Sequence, residues 1–291
     1  MTLEDCRLWA KHQFATLNRR ALGPHVDSLM VQSDGFRFLI DPNDHGVGRQ
    51  LRRHGHYGRH ELDRLRPMIG PTSNVLVVGT HVGTLAIPIA SWCRHVIGIE
   101  ANPRTFGLVH DNAVLNGCKN LTLHQLAASD SDGEIAFLMS RTNSGGSKIA
   151  PAREEYRYRY DRPERVQVQT RRLDDVVVDR SIDVIMMDIE GSEPMALRGM
   201  PRILRECTHL VIEFVPHHLR DVSQTPLADF VSLLSMFQSM HIPRMNRTYG
   251  NDEFEAALRR LYDHDLSEDA VVMSKHAPDH LERLVTGTLA R

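Results

Sequence analysis

Val75-Leu76-Val77-Val78-Gly79-Thr80-His81-Val82-Gly83-Thr84 is a run of four apolar residues closed by a glycine, with a second glycine four residues on. Four consecutive apolar side chains without alternation describe a strand buried on both faces, as in the middle of a parallel sheet. Gly79 allows a sharp turn and close backbone approach to a ligand. Gly83 is placed to open a helix whose free amides favour a negative group. A dinucleotide fingerprint would read Gly-x-Gly-x-x-Gly, but here the spacing is Gly-x-x-x-Gly and His81 stands at the second glycine's place. Such a turn suits the carboxylate of an amino-acid moiety better than a pyrophosphate. Glu100 closes the next apolar strand. A carboxylate there accepts both hydroxyls of a ribose and repels a 2′-phosphate.

The same rhythm continues outward. Strands are expected at 75–78, 95–99 and 121–126, with helices at 84–92 and 103–116 between them. Shorter strands at 134–139 and 165–172 flank a polar, glycine-bearing loop. A strand at 182–187, a helix at 192–206 and a strand at 210–215 follow, then helices at 226–240 and 252–263 and a strand at 270–274. Strands poor in polar residues, alternating with helices, define an α/β protein with a mostly parallel sheet covered on both faces. Upstream, Leu3, Leu8, Trp9, Phe14 and Leu17 recur at helical spacing, and 27–41 alternates around Ser33-Asp34-Gly35 as a hairpin. This divides the chain into an accessory part, 1–60, and a catalytic domain, 61–291. The basic, histidine-rich stretch 49–60 reads as a solvated loop placed to touch a substrate phosphate or carboxylate. His60-Glu61 begins a zinc-binding His-Glu-x-x-His pattern that fails at Arg64.

Composition limits the partners. The chain has 291 residues, and 35 basic against 37 acidic side chains give a net charge of −2, so no global field draws it to nucleic acid or an anionic membrane. Cys6, Cys93, Cys118 and Cys207 are scattered, which argues against a zinc ribbon or disulfide scaffold and fits a reducing cytoplasm. The start, Met1-Thr2-Leu3-Glu4-Asp5-Cys6-Arg7, has acids where a signal peptide has basic and then apolar residues. Residues 67–93 lack Asp, Glu, Lys and Arg, yet Gly70, Pro71, Gly79, Gly83 and Pro88 interrupt them, so strand, turn and helix explain the run better than a membrane span. A soluble protein is expected.

Further motifs point to a family. Val78-Gly79-Thr80-His81-Val82-Gly83, Glu100-Ala101-Asn102-Pro103, Ala127-Ala128-Ser129-Asp130, Arg172-Leu173-Asp174-Asp175 and Val211-Ile212-Glu213 accompany the most diagnostic block, Met187-Asp188-Ile189-Glu190-Gly191-Ser192-Glu193. Together they resemble the FkbM family of S-adenosylmethionine-dependent methyltransferases over about residues 55–216. The resemblance implies a Rossmann-like, seven-stranded sheet with its last strand antiparallel. It also implies methyl transfer to a hydroxyl of a sugar, polyketide or other small metabolite. By matching position, Gly79, Thr80, His81 and Gly83 wrap the methionine end of the cofactor and Glu100 holds the ribose, with Asn102 beside it. Leu126 and Ala127 flank the adenine, and Asp188 faces the methyl-transfer centre. The sequence departs from the family at Val77 (usually Asp), His81 (usually Asn) and Met187 (often Lys). Those departures keep a catalytically degenerate binding protein as an alternative. An NAD-dependent oxidoreductase is a second one, disfavoured by the glycine spacing.

Methyl transfer to an alcohol needs alignment and a base. Asp188 and Glu190, two residues apart on an extended chain, point the same way. Glu213 on the next strand, with His217 and His218 beyond it, can face them. Asp188, Glu190 and His217 are the candidate catalytic set. The same acids and a histidine also suit a divalent ion that acidifies the hydroxyl, although no ligand spacing fixes one. Loop 143–147 is placed to close over the site. Segment 153–165, with five arginines against four acids, reads as a mobile lid or as a subunit contact in a homo-oligomer.

Overall fold

The computed structural model describes residues 3–287; Met1, Thr2 and the last four residues, and with them part of the acid-bearing start, lie outside it. The chain begins with α1 (Leu3–Leu22), then a hairpin of β1 (Leu29–Ser33) and β2 (Phe36–Ile40). Asp34 and Gly35 both have positive φ, 49° and 87°, the mirror-image turn that matches strand twist. Next come α2 (Val47–His54), α3 (Arg59–Leu65), β3 (Asn74–Val78), α4 (Ala86–Ala90), β4 (His95–Glu100), α5 (Pro103–Leu115) and β5 (Leu121–Gln125). Strands β6 (Ala127–Ala128), β7 (Gly133–Met139), β8 (Lys148–Ile149) and β9 (Glu164–Arg171) form a separate small sheet ordered β6-β9-β7-β8. Then follow α6 (Leu173–Val176), β10 (Val184–Met187), α7 (Glu193–Arg198), α8 (Pro201–Glu206), β11 (His209–Phe214), α9 (Pro216–Asp221) and α10 (Leu227–Leu233). The chain closes with β12 (Ser239–Ile242), β13 (Arg247–Gly250), α11 (Phe254–Asp263), β14 (Glu268–Ser274) and α12 (Pro278–Thr286).

The main sheet is ordered β13-β12-β14-β11-β10-β3-β4-β5. Its strands are parallel from β5 to β11, and β14 is antiparallel between β11 and β12. This is the Rossmann-like arrangement, with eight strands rather than the expected seven because β13 hairpins back onto β12. Alternate side chains of β3 and β10 feed two apolar layers. Leu76, Val78, Ile185 and Met187 enter one, and Val75, Val77, Val184 and Met186 the other. Each fully buried Val, Ile or Leu contributes about 1.5–3 kcal/mol. From β3 the chain runs outward through β4 and β5, and from β10 it runs the other way through β11. The switch point, where a ligand cleft belongs, therefore lies at the carboxyl ends of β3 and β10.

Several expected boundaries move. The expected helix at 192–206 breaks at Gly199, because a Cβ there would stand 1.8 Å from the Ser129 carbonyl oxygen and Pro201 must begin a new helix. The helix expected at 226–240 stops at Leu233, and Ser239–Ile242 pairs instead with β14. The basic stretch 49–60 is not a loop: it contributes most of α2 and the start of α3. The hairpin is fastened by Asn112 of α5, whose amide donates to the Leu39 and Val82 carbonyls and whose oxygen accepts from the Leu39 amide. On α1, Trp9, Phe14 and Leu17 are exposed. Among the described residues no helix is long and apolar enough to cross a membrane.

Candidate active site

A cleft of about 310 Å³ opens at the switch point. Its floor is Val78 at the end of β3 with Gly79 and Thr80 beyond it, and Asp188 to Glu190 after β10. One wall comes from Gly46, Gln50 and Tyr57, and the opposite one from Leu126, Ala127, Phe137 and Ile149, with the 143–147 loop across the top. Gly79 has φ +90°, and a Cβ there would lie 1.9 Å from the Asp188 carbonyl oxygen, so only glycine lets the two strand ends meet.

At the glycine-turn end, Glu100 is buried and well supplied with donors. Its carboxylate accepts from the His81 amide at 2.7 Å, the Asn102 amide at 2.9 Å and the Thr105 hydroxyl at 2.9 Å. Of about four lone-pair sites, roughly one remains for a ligand. The His81 ring is fixed from outside the turn. Ser144 donates to the Asp44 carboxylate at 2.9 Å, so its oxygen, 2.7 Å from His81 Nε2, accepts the ring N–H. In that tautomer Nδ1 is a bare acceptor, and it is buried without a hydrogen-bond partner, as is the Thr80 hydroxyl. The turn therefore presents one acceptor and one hydroxyl with free capacity, a pairing suited to the ammonium and carboxylate of an amino-acid end.

The other end collects charge. Lys148 of β8 is buried, with Nζ 2.6 Å from Glu190 Oε2, 3.1 Å from His218 Nε2 and over the Tyr158 ring. Lysine can only donate, so His218 Nε2 accepts and its Nδ1 carries the hydrogen, 3.6 Å from Glu213 Oε2. Burial, and then the Lys148 cation, hold the His218 imidazole well below its ordinary range, hence neutral. Glu193 accepts from the Ile189 and Gly191 amides and pins the loop in which Glu190 has φ +57°. Asp188 is open to the cleft yet deep in the protein, and among the described residues none donates to its carboxylate. Burial and the charges of Glu190 and Glu193 hold Asp188 well above the usual carboxylate range. Burial and then Asp188 do the same to Glu213, and burial raises Glu193.

Of the expected site residues, Gly79, Thr80, His81, Glu100, Leu126, Ala127, Asp188 and Glu190 line the cleft together. Three do not. Gly83 (φ +92°) faces Ile87 and Val109, its amide is taken by the Thr80 carbonyl, and α4 starts only at Ala86, so it offers no ligand-binding helix end. Asn102 caps α5 by accepting from the Arg104 amide and donates to Ser147. His217 stacks on Tyr158 outside the cleft, and His218 takes the place beside the acids. Val77 and Met187 are buried in the two apolar layers, so neither departure reaches the ligand space. Loop 143–147 does stand over the cleft. Segment 153–165 folds back on the body: Tyr158 is buried with its hydroxyl on Asp221, and Asp161 accepts from Ser140, Arg141 and Thr142. Asp44 and Lys148 carried no motif and went unseen in the sequence, while Tyr57 and Ser144 lie in stretches it placed near the site without marking either residue.

An α/β sheet with a nucleoside-sized cleft at its switch point, floored by a glycine turn and an acidic loop, defines the class. Residues 78–241 match the model of the methyltransferase FkbM domain, and the chain belongs to the FkbM methyltransferase family. It is 30% identical over 152 residues to the 2-O-methyltransferase NoeI of Sinorhizobium fredii (strain NBRC 101917 / NGR234), covering 48% of this chain and 60% of that one. It is 30% identical over 103 residues to the 23S rRNA (uracil(1939)-C(5))-methyltransferase RlmD of Klebsiella pneumoniae (strain 342), covering 34% of this chain and 22% of that one. The crystal structure of a methyltransferase FkbM from Methylobacillus flagellatus KT resembles it with a TM-score of 0.41 and 17% identity, over 74% of this chain and 49% of that one. The chain spans less than two thirds of the length of the curated relatives it matches.

Proposed function

We propose that this chain is an S-adenosylmethionine-dependent O-methyltransferase acting on a hydroxyl of a small metabolite, with no nucleic-acid or membrane partner. The observation that carries the reading is the pair of buried, unpartnered polar atoms, Thr80 Oγ1 and His81 Nδ1, on the glycine turn beside Glu100. The turn thus suits the amino-acid end of the cofactor, Glu100 the ribose, and the apolar wall of Leu126 and Ala127 the adenine. When bound, S-adenosylmethionine supplies a methyl group on a sulfonium. The name of the NoeI relative, a 2-O-methyltransferase, supports oxygen as the acceptor atom. Asp188 and Glu190 are the carboxylates that line the cleft and take the hydroxyl proton, and a carboxyl held above its usual range is the stronger base. Lys148 fixes Glu190 in position by donating to its Oε2, and neutral His218 holds the same ammonium by accepting from it at Nε2. A cytoplasmic setting fits the unpaired cysteines.

The test is calorimetric titration with S-adenosylmethionine and, separately, NAD, followed by incubation with polyhydroxylated acceptors and mass spectrometry for products heavier by one CH2. Binding of S-adenosylmethionine alone and such products are expected. Binding of NAD alone would make the chain an oxidoreductase, and binding of neither a non-catalytic member of the fold.

A further inference from the structure

Asp188, Glu193 and Glu213 come from three different places: the end of β10, the first turn of α7 and the strand β11. Each offers a carboxylate oxygen, and the three oxygens lie within 4.8 Å of one another. Two ligands on opposite sides of a hard divalent ion, each about 2.1–2.4 Å from it, are about 4.2–4.8 Å apart, so the group has the right spread for one ion. Glu190 adds a fourth acid at the rim, but its Oε2 is committed to Lys148, leaving Oε1 toward the cleft. With four acids and one lysine, the fully ionised cluster would carry an excess of negative charge that the protein does not neutralise. Buried charge of one sign needs a counter-charge or protons.

A second observation is independent of the acids. The His218 side chain is only 7% exposed, and its Nδ1 has no hydrogen-bond partner although it points at Glu213 Oε2 from 3.6 Å. That oxygen is itself buried and unpartnered. An imidazole N–H held just short of a carboxylate is the outer-shell support that ligating carboxylates require. A small shift of Glu213 toward an ion leaves its second lone pair for this N–H. Lys148 fixes the ring in the needed tautomer by occupying Nε2.

We propose that Asp188, Glu193 and Glu213 bind one hard divalent cation, of the Mg2+ or Mn2+ class, at the acid end of the cleft. All-oxygen, all-carboxylate donors select such ions over zinc or copper. Glu193 and Glu213 approach from the protein side, while Asp188 reaches the same point from the open cleft, so the ion's remaining positions face the acceptor. There it would hold the acceptor oxygen and lower its pKa, leaving Glu190 to take the proton. This role in catalysis rests on the methyltransferase reading, but the site itself does not.

The test therefore uses the full chain without S-adenosylmethionine. Chelator-treated protein is titrated with MnCl2 and MgCl2, following bound Mn2+ by electron paramagnetic resonance and thermal stability by melting. Wild type is expected to bind one Mn2+, displaceable by Mg2+, with a rise in melting temperature. Glu213→Gln and Asp188→Asn should each weaken Mn2+ binding at least tenfold. Glu213→Gln removes an unpaired buried acid, so it should fold and melt higher than metal-free wild type, while losing the metal-induced rise. Glu255→Gln, on the exposed face of α11, should leave binding unchanged. No Mn2+ bound at millimolar concentration, or binding undiminished in both Glu213→Gln and Asp188→Asn, would overturn the proposal. Titration of S-adenosylmethionine into chelated wild type separates the two readings, since cofactor binding without metal binding leaves the methyltransferase standing and removes only the ion.

Discussion

The two ends of the cleft are built on opposite principles. At the glycine turn Glu100 accepts from three protein donors and Asp44 from Ser144 and two backbone amides, and the unpaired Thr80 hydroxyl and His81 imidazole nitrogen are neutral. At the acid end four carboxylates share one lysine and one neutral histidine, and Glu213 has an oxygen with no partner. The first end is preorganised for a ligand of fixed shape. The second holds charge that it cannot settle by itself, and burial together with the neighbouring acids holds Asp188 and Glu213 well above the usual carboxylate range. Under the proposed function, recognition and chemistry are separated along one cleft, with Gly79 packed against the Asp188 carbonyl as the joint between them.

Variants can break or sharpen that contrast. The largest effect is expected for Asp188→Asn, which should lower turnover by roughly 10²–10⁴-fold while cofactor affinity in calorimetry stays within about threefold. Unchanged turnover would remove Asp188 from the chemistry. Gly79→Ala attacks the joint and should cost ~3 kcal/mol or more, read as a melting temperature lower by roughly 6 °C or more. An unaltered melt would mean the strand ends have room that the 1.9 Å approach denies. Glu213→Gln tests the unsettled charge through pH. A raised folded pKa makes the buried carboxyl fully stable only below its unfolded value, about 4.3, and costs stability as pH rises through the folded value. The variant should therefore gain about 1–2 kcal/mol over metal-free wild type at pH 8, shrinking toward zero near pH 4.5. The lowered pKa of His217 acts in the opposite direction below pH 6.5 and equally in both proteins, whereas that of His218, whose Nδ1 faces Glu213, shifts with the variant. A constant difference across pH would contradict the assignment. Smallest of all, His217→Asn should change turnover by less than about twofold, against tenfold or more for His218→Asn.

How much of this was legible in the sequence follows from how local each feature is. The strand β3, the Gly79 turn, Glu100 and the Asp188-to-Glu193 block are written in consecutive residues, and the fold places them together at the switch point as read. Extrapolating alternation past β10 gave the right neighbours for a wrong reason, since the chain turns left-handed at Glu190 yet both acids line the cleft. The choice of His217 over His218 failed because the chain enters α9 at Pro216, and the helical direction of each ring is set by packing on Tyr158 and Lys148. Lys148 is a single lysine in a polar loop, and its role depends on β8 pairing with β7 at Leu138. The Asp44–Ser144–His81 relay joins residues 63 and 100 positions apart, which no window of sequence displays. The helix expected over 226–240 concealed β12, whose four residues, Ser239-Met240-His241-Ile242, are too few to set a period and are decided by β14 beside them.

The most direct measurement is a crystal structure of the protein grown with S-adenosylhomocysteine. A ribose hydroxyl is expected to donate to Glu100, with the amino-acid end on Thr80 and His81 and the sulfur facing Asp188. A ligand bound with Glu100 beyond hydrogen-bond range of every sugar oxygen, or with its sulfur turned away from Asp188, would contradict it.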